Sequence, residues 1–307
     1  AVRRFKEWYQ DGEALLIDAT MDDVDKIFAA SSPDMLREVV EEFTAAVSQQ
    51  VGAGPFSAPL GKLAAFLYAR LARRVYKRAR RTFIVVDELV AAFGIADVGR
   101  VAKGMYHITD PSLRAEDVDR VINFFALTSE GESRRELMRH SYVWQAYVWN
   151  LPRRDFEELY YRAREFYPGQ APPFDEVWKA FGGNPGRLKE LAELGWDVEK
   201  YKRRLAALKG LESLAGLVKG RRLGELARRV VDDVDYLRLG EEPELLELAD
   251  LLIRYNLVME LPRGLELGNE VDTPFEPPPV DRELGVGKHY AWQVPIYREL
   301  FAKALAE

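Results

Sequence analysis

Phe83-Ile84-Val85-Val86-Asp87-Glu88 decides the fold class of this chain. Four consecutive apolar residues, mostly β-branched, run directly into two adjacent acids. The run is too short for a buried helix and lacks the apolar–polar alternation of a strand with one wet face. It reads as a strand of a parallel sheet covered on both faces. Ala14-Leu15-Leu16-Ile17-Asp18 and Val121-Ile122-Asn123-Phe124-Phe125-Ala126-Leu127 have the same character. Amphipathic helical stretches separate the three, which makes residues 1–172 an α/β unit around a parallel sheet. A fourth run, Ala146-Tyr147-Val148-Trp149, is expected as a further strand ending at Asn150-Leu151-Pro152.

Beyond that unit the period changes. Residues 173–240 place apolar side chains three and four apart, with a break at Ala180-Phe181-Gly182-Gly183-Asn184-Pro185, the pattern of a small helical lid. Residues 241–307 read as a leucine-rich helix, a strand at Leu257–Leu261, a proline-rich acidic loop, a strand at Tyr290–Val294 and a closing helix. That order predicts a winged-helix domain whose two strands pair.

The composition bounds the chemistry. A chain of 307 residues exceeds what one core usually serves, and 48% hydrophobic with 31% charged residues describes a folded chain with a densely charged surface. With no cysteine, disulfides, thiolate catalysis and cysteine metal sites are excluded, and three scattered histidines make no histidine-rich metal site. Catalysis must rest on carboxylates, hydroxyls and cations. Asn and Gln together number eleven while Arg and Glu abound, a bias that points to a thermophilic source. A net charge of −6 argues against sequence-blind nucleic-acid binding over the whole surface. No apolar run approaches the roughly 20 residues of a membrane span, and Ala1-Val2-Arg3-Arg4-Phe5-Lys6 lacks a secretion-signal core, so the cytoplasm is expected.

Ligands of open α/β sheets bind outside the carboxyl ends of the strands, which is where Asp87 and Glu88 are delivered. The segment has the form of a Walker B motif. Asp87 would hold Mg²⁺ through its water shell, and Glu88 would orient and deprotonate an attacking water. The plainer reading is an acid that caps the following helix. The strand at Val121–Leu127 ends in Thr128-Ser129-Glu130, which sets hydroxyls beside the acid pair if the two strands are neighbours. Thr128 and Ser129 equally suit the cap of the helix that carries Ser133-Arg134-Arg135.

These segments resemble the archaeal ATPase family, a branch of the AAA+ and STAND-like P-loop NTPases. The resemblance is carried by the Phe83–Glu88 segment, Thr128-Ser129-Glu130-Gly131-Glu132-Ser133-Arg134-Arg135 and Trp149-Asn150-Leu151-Pro152-Arg153-Arg154-Asp155-Phe156. It continues through Gly182-Gly183-Asn184-Pro185-Gly186-Arg187-Leu188, Gly195-Trp196-Asp197-Val198 and Leu284-Gly285-Val286-Gly287-Lys288-His289-Tyr290-Ala291-Trp292-Gln293. It implies an ATP-binding and hydrolysing switch protein. Thr128 and Ser129 would occupy the sensor position, and Arg134 and Arg135 would be cations near the phosphates, in cis or for a neighbouring subunit. Gly183-Asn184-Pro185 would match the Gly-x-Pro element by which the lid packs on the nucleotide base. ATP is then expected between the α/β domain and the lid, with Pro185 near the base and Asp87 facing Mg²⁺. Read without the resemblance, Arg134 and Arg135 lie on a solvated helix face, and Gly183-Asn184-Pro185 is a helix-starting turn.

The family's Gly-x-x-x-x-Gly-Lys-[Ser/Thr] loop does not occur in these residues. The nearest mimic, Gly54-Pro55-Phe56-Ser57-Ala58-Pro59-Leu60-Gly61-Lys62-Leu63, has the wrong spacing, two prolines without N–H groups and Leu63 in place of a hydroxyl. Val2 to Gln10 reads as the later part of the helix that follows such a loop. Either the loop belongs to a preceding segment, or the protein is a pseudo-ATPase that serves as a binding module through its winged helix. Seven of the twelve residues from Arg70 to Arg81 are cationic, which reads as a solvated helix face or a nucleic-acid contact. The winged helix suits a protein or nucleic-acid partner, and the resemblance implies association into an oligomer on activation.

Overall fold

The computed structural model describes residues 7, 10–18, 27–50, 81–88, 99, 102–103, 106, 109, 121–128, 131–140, 143, 148–238, 242–261 and 278–307. Ser129, the basic stretch 70–80, the loop mimic at 54–63 and most of the 2–10 segment lie outside the described residues, as does the loop 262–277. The chain forms two compact units, Ala1–Gln145 and Ala146–Glu307.

The first unit is built on a four-stranded sheet. Its strands are β1 (Gly12–Asp18), β2 (Phe28–Ala30), β3 (Arg81–Asp87) and β4 (Val121–Ala126), in the order β2-β1-β3-β4. β3 is parallel to both neighbours, with Leu15 opposite Ile84 and Val85 opposite Phe125. The three apolar runs are therefore adjacent strands of one sheet. β2 is antiparallel to β1, so the sheet is mixed rather than wholly parallel. The reason is length: the link from Asp18 to Phe28 is too short for a parallel crossover, which takes a dozen or more residues. Ser31 extends this edge, accepting the Ala14 N–H at 2.9 Å while its hydroxyl donates to Glu13 at 2.5 Å. Helix α1 (Pro33–Gln50) then starts on Ser32, whose hydroxyl accepts the Met35 N–H.

Along β3, Thr82, Ile84 and Val86 are buried, while Phe83, Val85 and Asp87 are half-buried. The expectation of strands enclosed on both faces holds less well for β4, whose Val121 and Phe125 are 49% and 46% exposed. Phe83 and Phe125 stack across β3 and β4 with centroids 6.1 Å apart, covering each other on that face. Helix α2 (Gly131–Met138) follows β4.

The second unit is helical, with α3 (Arg153–Phe166), α4 (Phe174–Phe181), α5 (Pro185–Glu193), α6 (Val198–Leu208), α7 (Leu211–Gly220) and α8 (Gly224–Asp232). A 3-10 turn (Val234–Arg238), α9 (Pro243–Arg254), β5 (Val258–Glu260), β6 (Tyr290–Trp292) and α10 (Pro295–Ala306) complete it. Of the expected fourth strand, Ala146 and Tyr147 lie outside the described residues, while Val148 and Trp149 lie in no strand and Val148 is 87% exposed. One apolar core runs from Phe156 and Tyr160 on α3 to Phe301 and Leu305 on α10. The segments 173–240 and 241–307 both contribute to it. Helix α10 packs against α4, α7 and α8, burying Ile296, Tyr297 and Phe301. Turns between helices are sharp because their residues tolerate positive φ or cap. Gly182 (φ 55°) ends α4, and Gly195 (φ 71°) precedes Asp197, whose carboxylate accepts the Lys200 N–H and starts α6. Among the described residues no helix is long and apolar enough to cross a membrane.

β5 and β6 pair antiparallel, with Met259 opposite Ala291, as the helix–strand–loop–strand–helix order predicts. The turn before β6 is held by a residue that sequence reading passes over. The Asp235 carboxylate accepts the N–H groups of Lys288 (2.5 Å), His289 (2.8 Å) and Tyr290 (3.1 Å). A Cβ on Gly287 would overlap that carboxylate, so the glycine permits the approach. Burial pushes the Asp235 carboxyl up, but the three backbone donors and nearby His289 outweigh it and hold the group below the usual carboxylate range.

Asp235→Asn is expected to cost about 2 kcal/mol at pH 7, the loss of charge-assisted bonds to a partly exposed acceptor. The folded carboxyl titrates below its unfolded value, so its contribution is present above the ordinary carboxylate range and is lost as pH falls through the folded value. Urea denaturation of both proteins at pH 7 and near pH 3 checks this, and the gap must narrow at the lower pH.

Candidate functional site

β3 carries Asp87 to the carboxyl edge of its sheet, between β1 and β4. The register sets Asp18, the last residue of β1, directly beside Asp87. The sheet continues one step on the other side, where the Leu127 N–H donates to the Val86 carbonyl at 2.8 Å. That bond brings the chain carrying Thr128 alongside the acid pair. Ser129 lies outside the described residues.

Glu88 leaves the strand at φ 50°, in the left-handed region that a non-glycine residue seldom occupies. Its N–H donates to Asp87 Oδ1 at 3.1 Å. Such outliers cluster at ligand sites, where the surroundings hold a turn that the residue alone would not choose.

Burial raises the Asp87 carboxyl above the usual carboxylate range; the Glu88 N–H opposes the shift, and the charges of Asp18 and Glu88 add to it. Asp18 is thus part of the electrostatic site, although the sequence marks it only as the end of a strand. Among the described residues no group of three or more acidic or histidine side chains is placed to cage a metal ion. Mg²⁺ needs no such cage: it keeps much of its water and takes one or two carboxylates plus phosphate oxygens. Arg134 and Arg135 are half-buried on α2, beside the fully buried Ser133, so neither stands on a freely solvated face.

Gly183-Asn184-Pro185 belongs to the second unit, where it forms the start of α5. Asn184 Oδ1 accepts the Arg187 N–H at 3.1 Å, and Pro185 stands in the first turn, where a missing N–H costs nothing. Gly183, at φ 89°, has no room for a Cβ against the Leu151 carbonyl, and its own carbonyl accepts the Leu151 N–H. The helix-starting reading is therefore observed, and Pro185 remains exposed.

The same turn opens a closed circuit of polar contacts. Asn184 Nδ2 donates to Asn150 Oδ1 (2.9 Å), and Asn150 Nδ2 donates to the Gln293 carbonyl (3.1 Å). Gln293 Nε2 reaches Asn256 Oδ1 (2.5 Å), and the Asn256 carbonyl accepts from Lys209 Nζ (3.2 Å). Lys209 and Arg187 lie over the Tyr297 ring, 4.9 and 5.9 Å from its centroid. Arg187 follows Asn184 and closes the circuit. Three separate stretches of sequence, around Asn150, Asn184 and Gln293, are thus one spatial feature.

A carboxyl held above its ordinary range destabilises the fold once ionised: the penalty is absent below the unfolded value and complete above the folded one. Asp87→Asn is therefore expected to raise the melting temperature at pH 7 in metal-free buffer, with the gain fading below about pH 4. Thermal melts at both pH values check the sign.

A family model described as an ATPase domain predominantly from Archaea matches residues 13–191, more than half of the chain. No curated protein and no solved structure matches it. The matched span runs from β1 into α5 and includes Asp18, Asp87, Glu88, Thr128 and Asn184. An ATPase-family domain implies nucleotide chemistry, which the acid edge of a central parallel strand suits, and the chain belongs to the archaeal ATPase family.

Proposed function

We propose that this protein is an ATP-binding and hydrolysing switch of the AAA+/STAND-like type, with Asp87 and Glu88 as its Walker B acids. Asp87 holds Mg²⁺ through water, and Glu88 orients and deprotonates the water that attacks the γ-phosphate. Thr128 and Ser129 act as the sensor, Arg134 and Arg135 offset phosphate charge, and Gly183-Asn184-Pro185 contacts the base. The β5–β6 ribbon between α9 and α10 serves as the wing of a winged helix that meets a protein or nucleic-acid partner.

The observation that carries the reading is the position of the acid pair, at the carboxyl end of a strand flanked on both sides by parallel partners. Two further features support it. Glu88 sits in a left-handed turn, a strained conformation of the kind that clusters at ligand sites. The Asp87 carboxylate, disfavoured by burial and by Asp18, gains from a bound cation what it lacks without one.

Glu88→Gln is expected to leave ATP binding nearly intact while lowering turnover by two to four orders of magnitude, the usual contribution of a positioned general base. Asp87→Ala should weaken magnesium-dependent binding as well. Calorimetry on the natural protein reads binding, and phosphate release reads turnover. Equal turnover in Glu88→Gln and the parent protein rejects Glu88 as the water-activating residue. Absence of both turnover and any nucleotide-dependent thermal shift in the parent favours the alternative, an interaction module on the same fold.

A further inference from the structure

Asp18 is the last residue of β1, and the parallel ladder with β3 ends by pairing it with Asp87. Paired residues of neighbouring strands stand side by side, about 5 Å apart, on the same face of the sheet. The burial pattern identifies that face. Leu15 and Ile17 on β1 are buried, as are their partners Ile84 and Val86 on β3. Leu16 and Asp18 share the half-buried face with their partners Val85 and Asp87.

Like charges in paired positions destabilise a sheet, and the Asp18 charge does bear on Asp87. A divalent cation outside the carboxyl edge reverses this balance, because it attracts both carboxylates and offsets their repulsion. The donor set suits Mg²⁺ in particular, an ion that takes hard oxygens, keeps several waters and needs only one or two carboxylates.

We propose that Asp18 is a second acid of the nucleotide site, holding from β1 the water shell of the same Mg²⁺ that Asp87 holds from β3. This role rests on the reading of Asp87 as the magnesium acid, and it adds a residue from a strand that the Walker B segment does not contain. With two carboxylates behind the ion, the site favours nucleotide that arrives with magnesium. Without the metal, the phosphates face two uncompensated anions and are repelled. Asp18 therefore sets selectivity for the metal-bound nucleotide.

The probe is a non-hydrolysable ATP analogue, titrated calorimetrically into the natural protein with magnesium and with EDTA, so that turnover does not enter. The quantity read is the gain in affinity that magnesium brings. Asp18→Asn keeps the side-chain shape and removes the charge. It is expected to lower the gain about tenfold, the order expected when one charge is removed a few Å from a divalent ion in a watery surround. A purely structural Asp18 would weaken binding in both media alike and leave the gain unchanged. Asp18→Glu, which keeps the charge, should retain most of the gain.

An unchanged gain in Asp18→Asn, with Asp87→Ala losing it, overturns the role of Asp18 and leaves that of Asp87 standing. Loss of the gain in Asp18→Glu as complete as in Asp18→Asn also overturns it, since charge is then not what matters. If the parent protein shows no gain with magnesium, the Walker B reading fails and this inference fails with it.

Discussion

The first unit depends on β3 being hydrogen-bonded on both sides. A central parallel strand has its N–H and C=O groups committed to two neighbours, so it cannot slip in register without breaking both ladders. That constraint sets Asp18 beside Asp87 and draws the chain toward Thr128 at the opposite side. It also ends abruptly. The ladder with β1 closes at the Asp18–Asp87 pair, and Glu88 takes a left-handed conformation at once. Carboxylates collected at one edge repel, and the site keeps them at the cost of stability.

In the second unit the comparable role falls to polar groups inside an apolar body. Asn150, Asn184, Asn256 and Gln293 are uncommon residue types in a chain with eleven Asn and Gln in all, and four of those eleven meet in one circuit. A half-buried amide must be paired or it destabilises its surroundings, so each member fixes the position of the next. The helices packed on α10 could otherwise slide along largely aliphatic contacts. The Asp235 carboxylate does the equivalent for the turn before β6, where three N–H groups converge on one acceptor.

Sequence and tertiary structure divided the description on physical lines. Hydrophobic run length and the terminal acids located β1, β3 and β4, because a buried strand must be continuously apolar and a parallel sheet presents its carboxyl ends together. The same reasoning found the pairing of β5 with β6 and the helix start at Asn184-Pro185. At Val148 and Trp149 aromatic and β-branched content resembled a strand, but these two residues join no sheet.

What the sequence alone determined was which segments form the parallel strands β1, β3 and β4, where the acids fall and which family's motifs occur, since these are encoded locally by residue type and spacing. Tertiary structure decided the rest: that Asp18 neighbours Asp87, that Asp235 holds the turn at Lys288–Tyr290, and that Asn150, Asn184 and Gln293 are one network. Each of these joins residues from about 34 to 143 positions apart or across two strands, where no periodic pattern reports the contact. The Lys209 amine, held below the ordinary lysine range first by burial and then by the Arg187 charge from another helix, belongs to the same class.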